Sequence, residues 1–500
     1  MKVFFTWLWY GVFLFAGFLN SCRPAQQETF VFSDFEVRVV AKYLSNPWEV
    51  TYGPDNFLWV TEARGYRVLR INPLTGQKQV LADLNSEKNF LRYDLIPDDE
   101  DGGKPWPQGG LMGMALHPLL LKGKPYVYLT YIYKFEGAAR KDNGKSGENG
   151  FRFLSRIVRY VYDLKGGKLI RPLVLCDTVP GSNDHTGGRL LIAEEAGMPY
   201  LFCTIGDMGA GQFGNAQRVN YAQDKNSYEG KVLRFNLEHD ADANGTDQWI
   251  PNDNPFNGER QNAVWTLGHR NAQGLAAVQL AGKTHLYAAE HGPYSDDELN
   301  CIEGGCNYGH PLVIGYDDGN YNGLPAFFSN AAVYGTSSLP VVKDEKSNAL
   351  GIGKSYRNPL KSFSVGNAAG LAVLAQKLRS QNNVQSGIVD KTGFWETYAP
   401  SSLDVYTADA IPGWKNSLLV TTLKGGRLLR VKLDPNGRMV DGKIHQYVKS
   451  DARYRDLAIS PDGLKIYLAL DSIGVTSEPS KFFTEGKHTK GCILELNYKR

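Results

Sequence analysis

The chain has 500 residues, 42% of them hydrophobic and 21% charged, which is the composition of a globular protein rather than a disordered or collagen-like one. A formal net charge of +3, with no basic stripe interleaved with aromatics, excludes a nucleic-acid-binding surface. The 54 glycines and 27 tyrosines suit many short strands joined by tight turns.

The N-terminal stretch "MKVFFTWLWYGVFLFAGFLNSC" places Lys2 before an apolar run that ends at Cys22. This is the layout of a secretory signal. The run is short beside the roughly 20 apolar residues that a spanning helix needs. Its "LNSC" ending resembles a bacterial lipobox. We therefore expect residues 1–21 to be a signal peptide, Cys22 to carry lipid, and 22–34 to serve as a tether. The protein would then be exported, periplasmic or cell-surface, and held to a membrane by lipid alone. An uncleaved anchor is the blander alternative. Five cysteines remain: Cys176, Cys203, Cys301, Cys306 and Cys492. An odd count in an oxidising compartment leaves at least one thiol free. Cys301 and Cys306 are near enough in sequence to pair, but their spacing fits no strong zinc pattern.

From residue 35 onward, short apolar runs recur between Gly, Pro, Asn and Asp, with few amphipathic helices. The clearest unit is "PWEVTYGPDNFLWVTEARGYRVLRINPLTGQ", which reads as three strands and two turns. The theme returns at "LMGMALHPLLLKGKPYVYLTYIY", "GRLLIAEEAGMPYLFCTIGD", "NAQGLAAVQLAGKTHLYAAEHGP", "SSLDVYTADAIPGWKNSLLVTTLKGGRLLRVKLDPNG" and "RYRDLAISPDGLKIYLALD". Six degenerate copies predict an all-β fold over 35–500, a six-bladed β-propeller of four-stranded antiparallel sheets. A two-sheet sandwich is the alternative. Residues 86–108 and 320–365 would form loops over one face.

Each repeat ends in a polar motif, and in a propeller those ends converge. The motifs carry Gln108, Asp184 with His185, Asp207 with Gln212, Arg270 with Asn271, His291 to Glu298, Trp395 with Thr397, Lys424, and Arg453 with Arg455. Singly, each has a bland reading, since a loop arginine is usually solvated and a lone histidine usually structural. Together they form an inventory. Three arginines and a lysine suit a small polyanion, because guanidinium forks match carboxylates. Arg453 and Arg455 flank Tyr454, so in a strand both point the same way. His185 with Asp207 could be a base and its orienting carboxylate, and Trp395 could cover an apolar ring face. No HExxH, GxSxG or CxxC occurs, so zinc-protease, serine-hydrolase and thiol-redox readings have no support.

The segments "GRLLIAEE", "TIGD", "GKVLR", "LGHRNAQGL", "EHGPYSDDELN", "NYGHP" and "RYRDLAISPDG" resemble, in the same order, the soluble quinoprotein glucose dehydrogenases of the glucose/sorbosone dehydrogenase family. Those proteins are six-bladed propellers that use pyrroloquinoline quinone (PQQ) and calcium. The resemblance runs from about residue 35 to the C-terminus. It implies that His185 takes the proton of a sugar C1 hydroxyl, with Asp207 orienting it, while hydride passes to the PQQ C5 carbon and an external acceptor later removes the electrons. Arg270 would stabilise charge on the quinone oxygen. Asn271, Thr397, Lys424, Arg453 and Arg455 would hold the cofactor, with Trp395 beside it. Gln108, Asp184, Gln212 and Phe213 would meet the sugar. Gly292 and Pro293 would offer backbone carbonyls to calcium. Glu298, Tyr308 and Asp318 match positions of a structural calcium pair near a dimer interface, which makes a homodimer an expectation.

The chain departs from the family pattern at Thr392 (a tyrosine there), Phe213 (an aliphatic residue), His291 (a glutamine) and Glu396 (a proline). These positions line or support the substrate end, so they bear on sugar preference and leave the redox set intact. Other readings of the same residues are a PQQ dehydrogenase for another sugar such as sorbosone, a metal-dependent lactonase, or a propeller that only binds a protein or glycan. The last has no use for a base and a cationic cradle kept together.

Overall fold

The computed structural model describes residues 34–91, 106–138, 150–240, 247–328, 331–380, 397–472 and 490–499. The expected signal peptide, Cys22 and most of the tether lie outside them. Among the described residues no helix is long and apolar enough to cross a membrane.

Six antiparallel four-stranded sheets form the blades of a propeller. Five are continuous in sequence. They run from Pro47–Tyr52 to Lys78–Asp83, Leu111–Leu116 to Lys168–Gly181, Gly187–Glu195 to Val264–Thr266, Ala272–Leu280 to Lys361–Phe363, and Pro400–Tyr406 to Met439–Tyr447. The sixth is closed by both ends of the chain. Tyr454–Ile459, Lys465–Leu470 and Cys492–Tyr498 are joined by the N-terminal strand Phe35–Ala41, with Phe35 opposite Tyr498. Phe35 is buried and stands edge-on to Trp414 at 5.6 Å and to Tyr498 at 5.9 Å. The closing strand therefore covers an edge that would otherwise be open to another chain.

Each sequence repeat supplies the inner strands of one blade. Those strands are buried on both faces, as between Leu58 and Glu62, which suits continuous apolar runs. Turn chemistry sets their register. In "GPDN", Asp55 accepts from the Phe57 amide at 3.3 Å and the Trp59 indole at 3.1 Å, and Asn56 takes a positive φ of 61°. The segment 320–365 is not all loop. It holds a helix at Glu345–Ile352 and, at Lys361–Phe363, the outer strand of the fourth blade. After it comes a second helix, Ala368–Ser380, which buries Leu371, Leu374, Ala375 and Leu378 on one stripe against Tyr294, Phe327 and Phe328. That period-3.6 stripe is an amphipathic helix among strands.

The six innermost strands adjoin one another in a closed ring. In every blade their pairing with the second strand shifts register near the start, at Pro47/Glu49, Leu111/Met114, Gly187/Leu190, Ala272/Gly274, Pro400/Ser402 and Tyr454/Asp456. Such irregularities re-aim side chains at the rim of a sheet. Just inside that rim, Arg189 spans the axis. Its Nη1 pairs with Glu49 and lies 3.2 Å from Asp456; its Nε donates to the Gln273 carbonyl at 3.0 Å and its Nη2 to that of Ser401 at 3.4 Å. The guanidinium also sits 4.1 Å over the Trp48 ring. Burial pushes Glu49 up to about 8, with Arg189 opposing and Asp456 adding to the rise. Replacing Arg189 with Leu removes one partner of a buried charge cluster and strands the carboxylates. Unfolding in urea should show a loss of about 3–5 kcal/mol; a loss below about 1 kcal/mol would deny Arg189 this role.

Candidate active site

The chain enters each innermost strand and leaves each second strand on the same face, and the polar motifs sit there. His185 precedes Gly187–Glu195, and Arg270 with Asn271 precedes Ala272–Leu280. Thr397 precedes Pro400–Tyr406, and Arg453 precedes Tyr454–Ile459. Asp207, His291, Lys424 and Asp471 each follow the second strand of a blade.

His185 is 5% exposed, and its Nδ1 lies 2.7 Å from Oδ1 of the wholly buried Asp207. A carboxylate only accepts, so Nδ1 carries a proton, and in the neutral ring Nε2 keeps the lone pair. Asp207 Oδ1 also accepts from the Gly209 amide at 3.0 Å. Its Oδ2 accepts from Asn220 Nδ2 at 3.1 Å and His310 Nε2 at 2.8 Å. Burial opposes the charge on Asp207, but His185 and His310 outweigh it and hold the carboxyl well below the usual range. On the other side of the ring, Nε2 is 3.6 Å from Asp184 Oδ1. That oxygen accepts from Gln108 Nε2 at 3.0 Å, while Gln108 Oε1 accepts from the Thr186 amide at 3.2 Å. Gln108 and Asp184 thus stand beside the unprotonated nitrogen.

The cationic side is built from separate blades. Arg270 Nη2 donates to Gln212 Oε1 at 3.0 Å, and Nη1 donates to the carbonyls of His291 at 3.1 Å and Gly292 at 2.9 Å. Arg453 and Arg455 share the buried Asp471, at 3.1 Å and 2.7 Å, and Arg455 Nη1 donates to Gln273 Oε1 at 2.6 Å. Lys424 is half-buried. Thr397 commits its hydroxyl proton to Asp297, 2.6 Å from Oδ1 and 2.5 Å from Oδ2, which leaves it only acceptor lone pairs. Three neighbouring residues carry buried polar atoms with no protein partner: Arg270 Nε, both amide atoms of the fully buried Asn271, and His291 Nε2. Buried polar groups are rarely left so. Burial pushes the His291 imidazole well below its ordinary range, with Arg270 and His185 adding to it. Orphaned donors and acceptors beside several cations match a ligand bearing carboxylates and carbonyls.

A family profile described as Glucose / Sorbosone dehydrogenase matches residues 44–342 and 343–475. The chain belongs to the glucose/sorbosone dehydrogenase family. It is an oxidoreductase by that membership. It is 34% identical over 502 residues to quinoprotein glucose dehydrogenase B of Acinetobacter calcoaceticus, covering 95% of this chain and 94% of that protein. Aldose sugar dehydrogenase YliI of Escherichia coli is 26% identical over 444 residues, covering 88% of this chain and 91% of that protein. Among solved structures, the PQQ-bound form of an aldose sugar dehydrogenase from Streptomyces coelicolor aligns with a TM-score of 0.57 and 23% identity, over 93% of this chain and 98% of that one. That likeness carries the fold.

Trp395, Thr392 and Glu396 lie outside the described residues. Glu298 accepts from the Gly315 amide at 3.0 Å and Asn300 Nδ2 at 2.8 Å. Tyr308 donates its hydroxyl to the Cys301 carbonyl at 2.6 Å, and Asp318 caps the Asn320 amide at 3.1 Å. No contact draws these three side chains together. Among the described residues no three His, Cys, Asp or Glu side chains group together. Pro293 is buried beside Gly292. Cys301 and Cys306 are free thiols, as are the other three described cysteines. Phe213 is half-buried, 5.0 Å edge-on from Phe327. Sequence reasoning passed over Asn220, Gln273, His310 and Asp471. Asp471 could have been found, because it too ends a repeat.

Local backbone strain holds the base. His185, Met208 and Phe213 take positive φ values of 48°, 64° and 40°, each costing about 1–3 kcal/mol unless the surroundings impose it. Gly206 makes this possible, because a Cβ there would overlap the His185 carbonyl oxygen. Gly206→Ala should displace His185 and lower kcat by at least about tenfold, read by steady-state kinetics of folded protein. Unchanged kcat would show that the His185 backbone has room to move.

Proposed function

We propose that the chain is a PQQ- and calcium-dependent dehydrogenase that oxidises an aldose at its C1 hydroxyl to the lactone, outside the cytoplasm. The observation that carries this is the His185–Asp207 pair at 2.7 Å, set beside the orphaned Asn271 amide and the Arg270 guanidinium. The similarity to a quinoprotein glucose dehydrogenase and an aldose sugar dehydrogenase supports the same reading. Bound PQQ supplies a two-electron acceptor, and calcium supplies a Lewis acid.

The chain supplies position and charge. His185 Nε2 takes the hydroxyl proton, and the Asp207 carboxylate stabilises the imidazolium that forms. Gln108, Asp184 and Gln212 orient sugar hydroxyls. Arg270 balances negative charge as it develops. Asn271, Lys424, Arg453 and Arg455 would hold the quinone's carboxylates and carbonyls, while Thr397, its hydroxyl proton given to Asp297, would accept from a cofactor N–H. The Gly292 and Pro293 carbonyls would hold calcium; that of Gly292 accepts from Arg270 and keeps a second lone pair that could serve the ion. The electrons pass on to an external acceptor. The leader and Cys22 support export and a lipid anchor. One observation favours a second reading, a PQQ dehydrogenase for a different sugar: Phe213 puts an aromatic ring, backed by Phe327, at the substrate end.

Purified apoprotein supplied with PQQ and calcium should reduce a dye when given glucose or another aldose, and omission of either should abolish the reaction. His185→Ala should lower the rate by about 10²–10⁴-fold. PQQ binding without turnover of any aldose would move the substrate class, and failure to bind PQQ would overturn the proposal.

A further inference from the structure

The carboxylate behind the base is held from both sides. Asp207 gives Oδ1 to His185 and Oδ2 to His310, and the two histidines lie 22 and 103 residues away in sequence. The His310 loop is itself fixed. The Tyr308 amide donates to the Leu267 carbonyl at 2.9 Å and the His310 amide to that of Gly268 at 3.0 Å. Gln223 Nε2 donates to the His310 carbonyl at 2.7 Å. The imidazole is 4% exposed, and its Nε2 is aimed at Asp207 at 2.8 Å.

We propose that His310 is a positioning residue for the reaction: by pinning Oδ2 of Asp207 it keeps Oδ1 on His185 and limits how basic His185 becomes. This rests on the reading of His185 as the base. Two effects follow from the geometry. A carboxylate bound at one oxygen can turn about its Cβ–Cγ bond, whereas one bound at both is fixed in plane, so the His185 ring keeps one orientation. Each donor to Asp207 also disperses its negative charge, which weakens its hold on the protonated form of His185. The charged and titratable groups around His185 are Asp207, Asp184 at 3.6 Å, and His291, with Arg270 bonded to the adjoining Gln212. Glu229 also acts on Asp207 electrostatically. None of these replaces a donor at Oδ2. Asn220 does in part, at 3.1 Å.

The test is the pH dependence of kcat/KM of the reconstituted holoenzyme for wild type, His310→Phe, His310→Gln and Asn220→Leu, with thermal melting and PQQ titration of each. His310→Phe should lower kcat about tenfold, change the sugar KM less than about twofold, and move the acid limb upward by about half a pH unit or more. His310→Gln keeps an N–H donor and should restore most of both. Asn220→Leu removes the other donor to Oδ2 and should move the limb the same way, which provides a readout if His310→Phe fails to fold. A folded His310→Phe or Asn220→Leu enzyme with the wild-type acid limb would overturn the proposal, as would a limb moved equally by His310→Gln. His185→Ala is run alongside. If it retains the acid limb, the base reading itself fails; if it is inactive while the limb in His310→Phe stays put, only the role of His310 fails.

Discussion

One guanidinium on the propeller axis ties together the strands that carry the site. Arg189 stands four residues after His185 and reaches Glu49, Gln273, Ser401 and Asp456. Gln273 is two residues from Asn271, Ser401 four from Thr397, and Asp456 adjoins Arg455. Five of the six blades thus meet at one buried side chain beneath the residues expected to bind and react. In a propeller each blade touches only its neighbours, so nothing else in the repeat sets the relative height of opposite strands. A rigid planar donor with several N–H groups does this better than apolar contact, which tolerates sliding.

Charge in the site follows from that frame. Arg270, Lys424 and the Arg453–Arg455 pair come from three different blades. Asp471 neutralises only the Arg453 and Arg455 pair, and the Asp471 carboxyl is held low by them despite its burial. On the other side, Asp207 is surrounded by donors and His185 is flanked by two carboxylates. Electropositive and electronegative walls therefore face each other, which suits a polyanionic acceptor on one side and a hydroxyl donor on the other. The protein places these groups before any ligand arrives, and such preorganisation lowers the reorganisation needed during reaction.

Rigidity at the base has a local origin as well. His185, Met208 and Phe213 adopt left-handed backbone, and Gly206 yields the space that His185 needs. Phe213 is braced by Phe327, which in turn stacks on Tyr294 at 4.9 Å. The helix Ala368–Ser380 closes this aromatic cluster from outside. The insertions beyond the basic blade pattern are thus structural support for the substrate end.

The inner strands were legible in the sequence because burial on both faces demands continuous apolar runs, and six such runs announce six blades. The motifs at their ends were legible for the same reason, since strand ends in a closed ring converge. His185 with Asp207, and the shared direction of Arg453 and Arg455, could be read from them. The outer strands were less so: Lys168–Gly181 carries several apolar residues yet is mostly exposed, so burial leaves no clean pattern in it. Ala368–Ser380 carried a readable stripe at Leu371, Leu374, Ala375 and Leu378, but it was masked by the surrounding strand pattern. Tertiary structure alone decided the closure of Phe35–Ala41 on Cys492–Tyr498, the reach of Arg189 across the axis, the capture of the Thr397 hydroxyl by Asp297, and the meeting of His310 with Asp207. Each joins residues far apart in the chain, and local sequence holds no record of a partner that only the closed ring brings near.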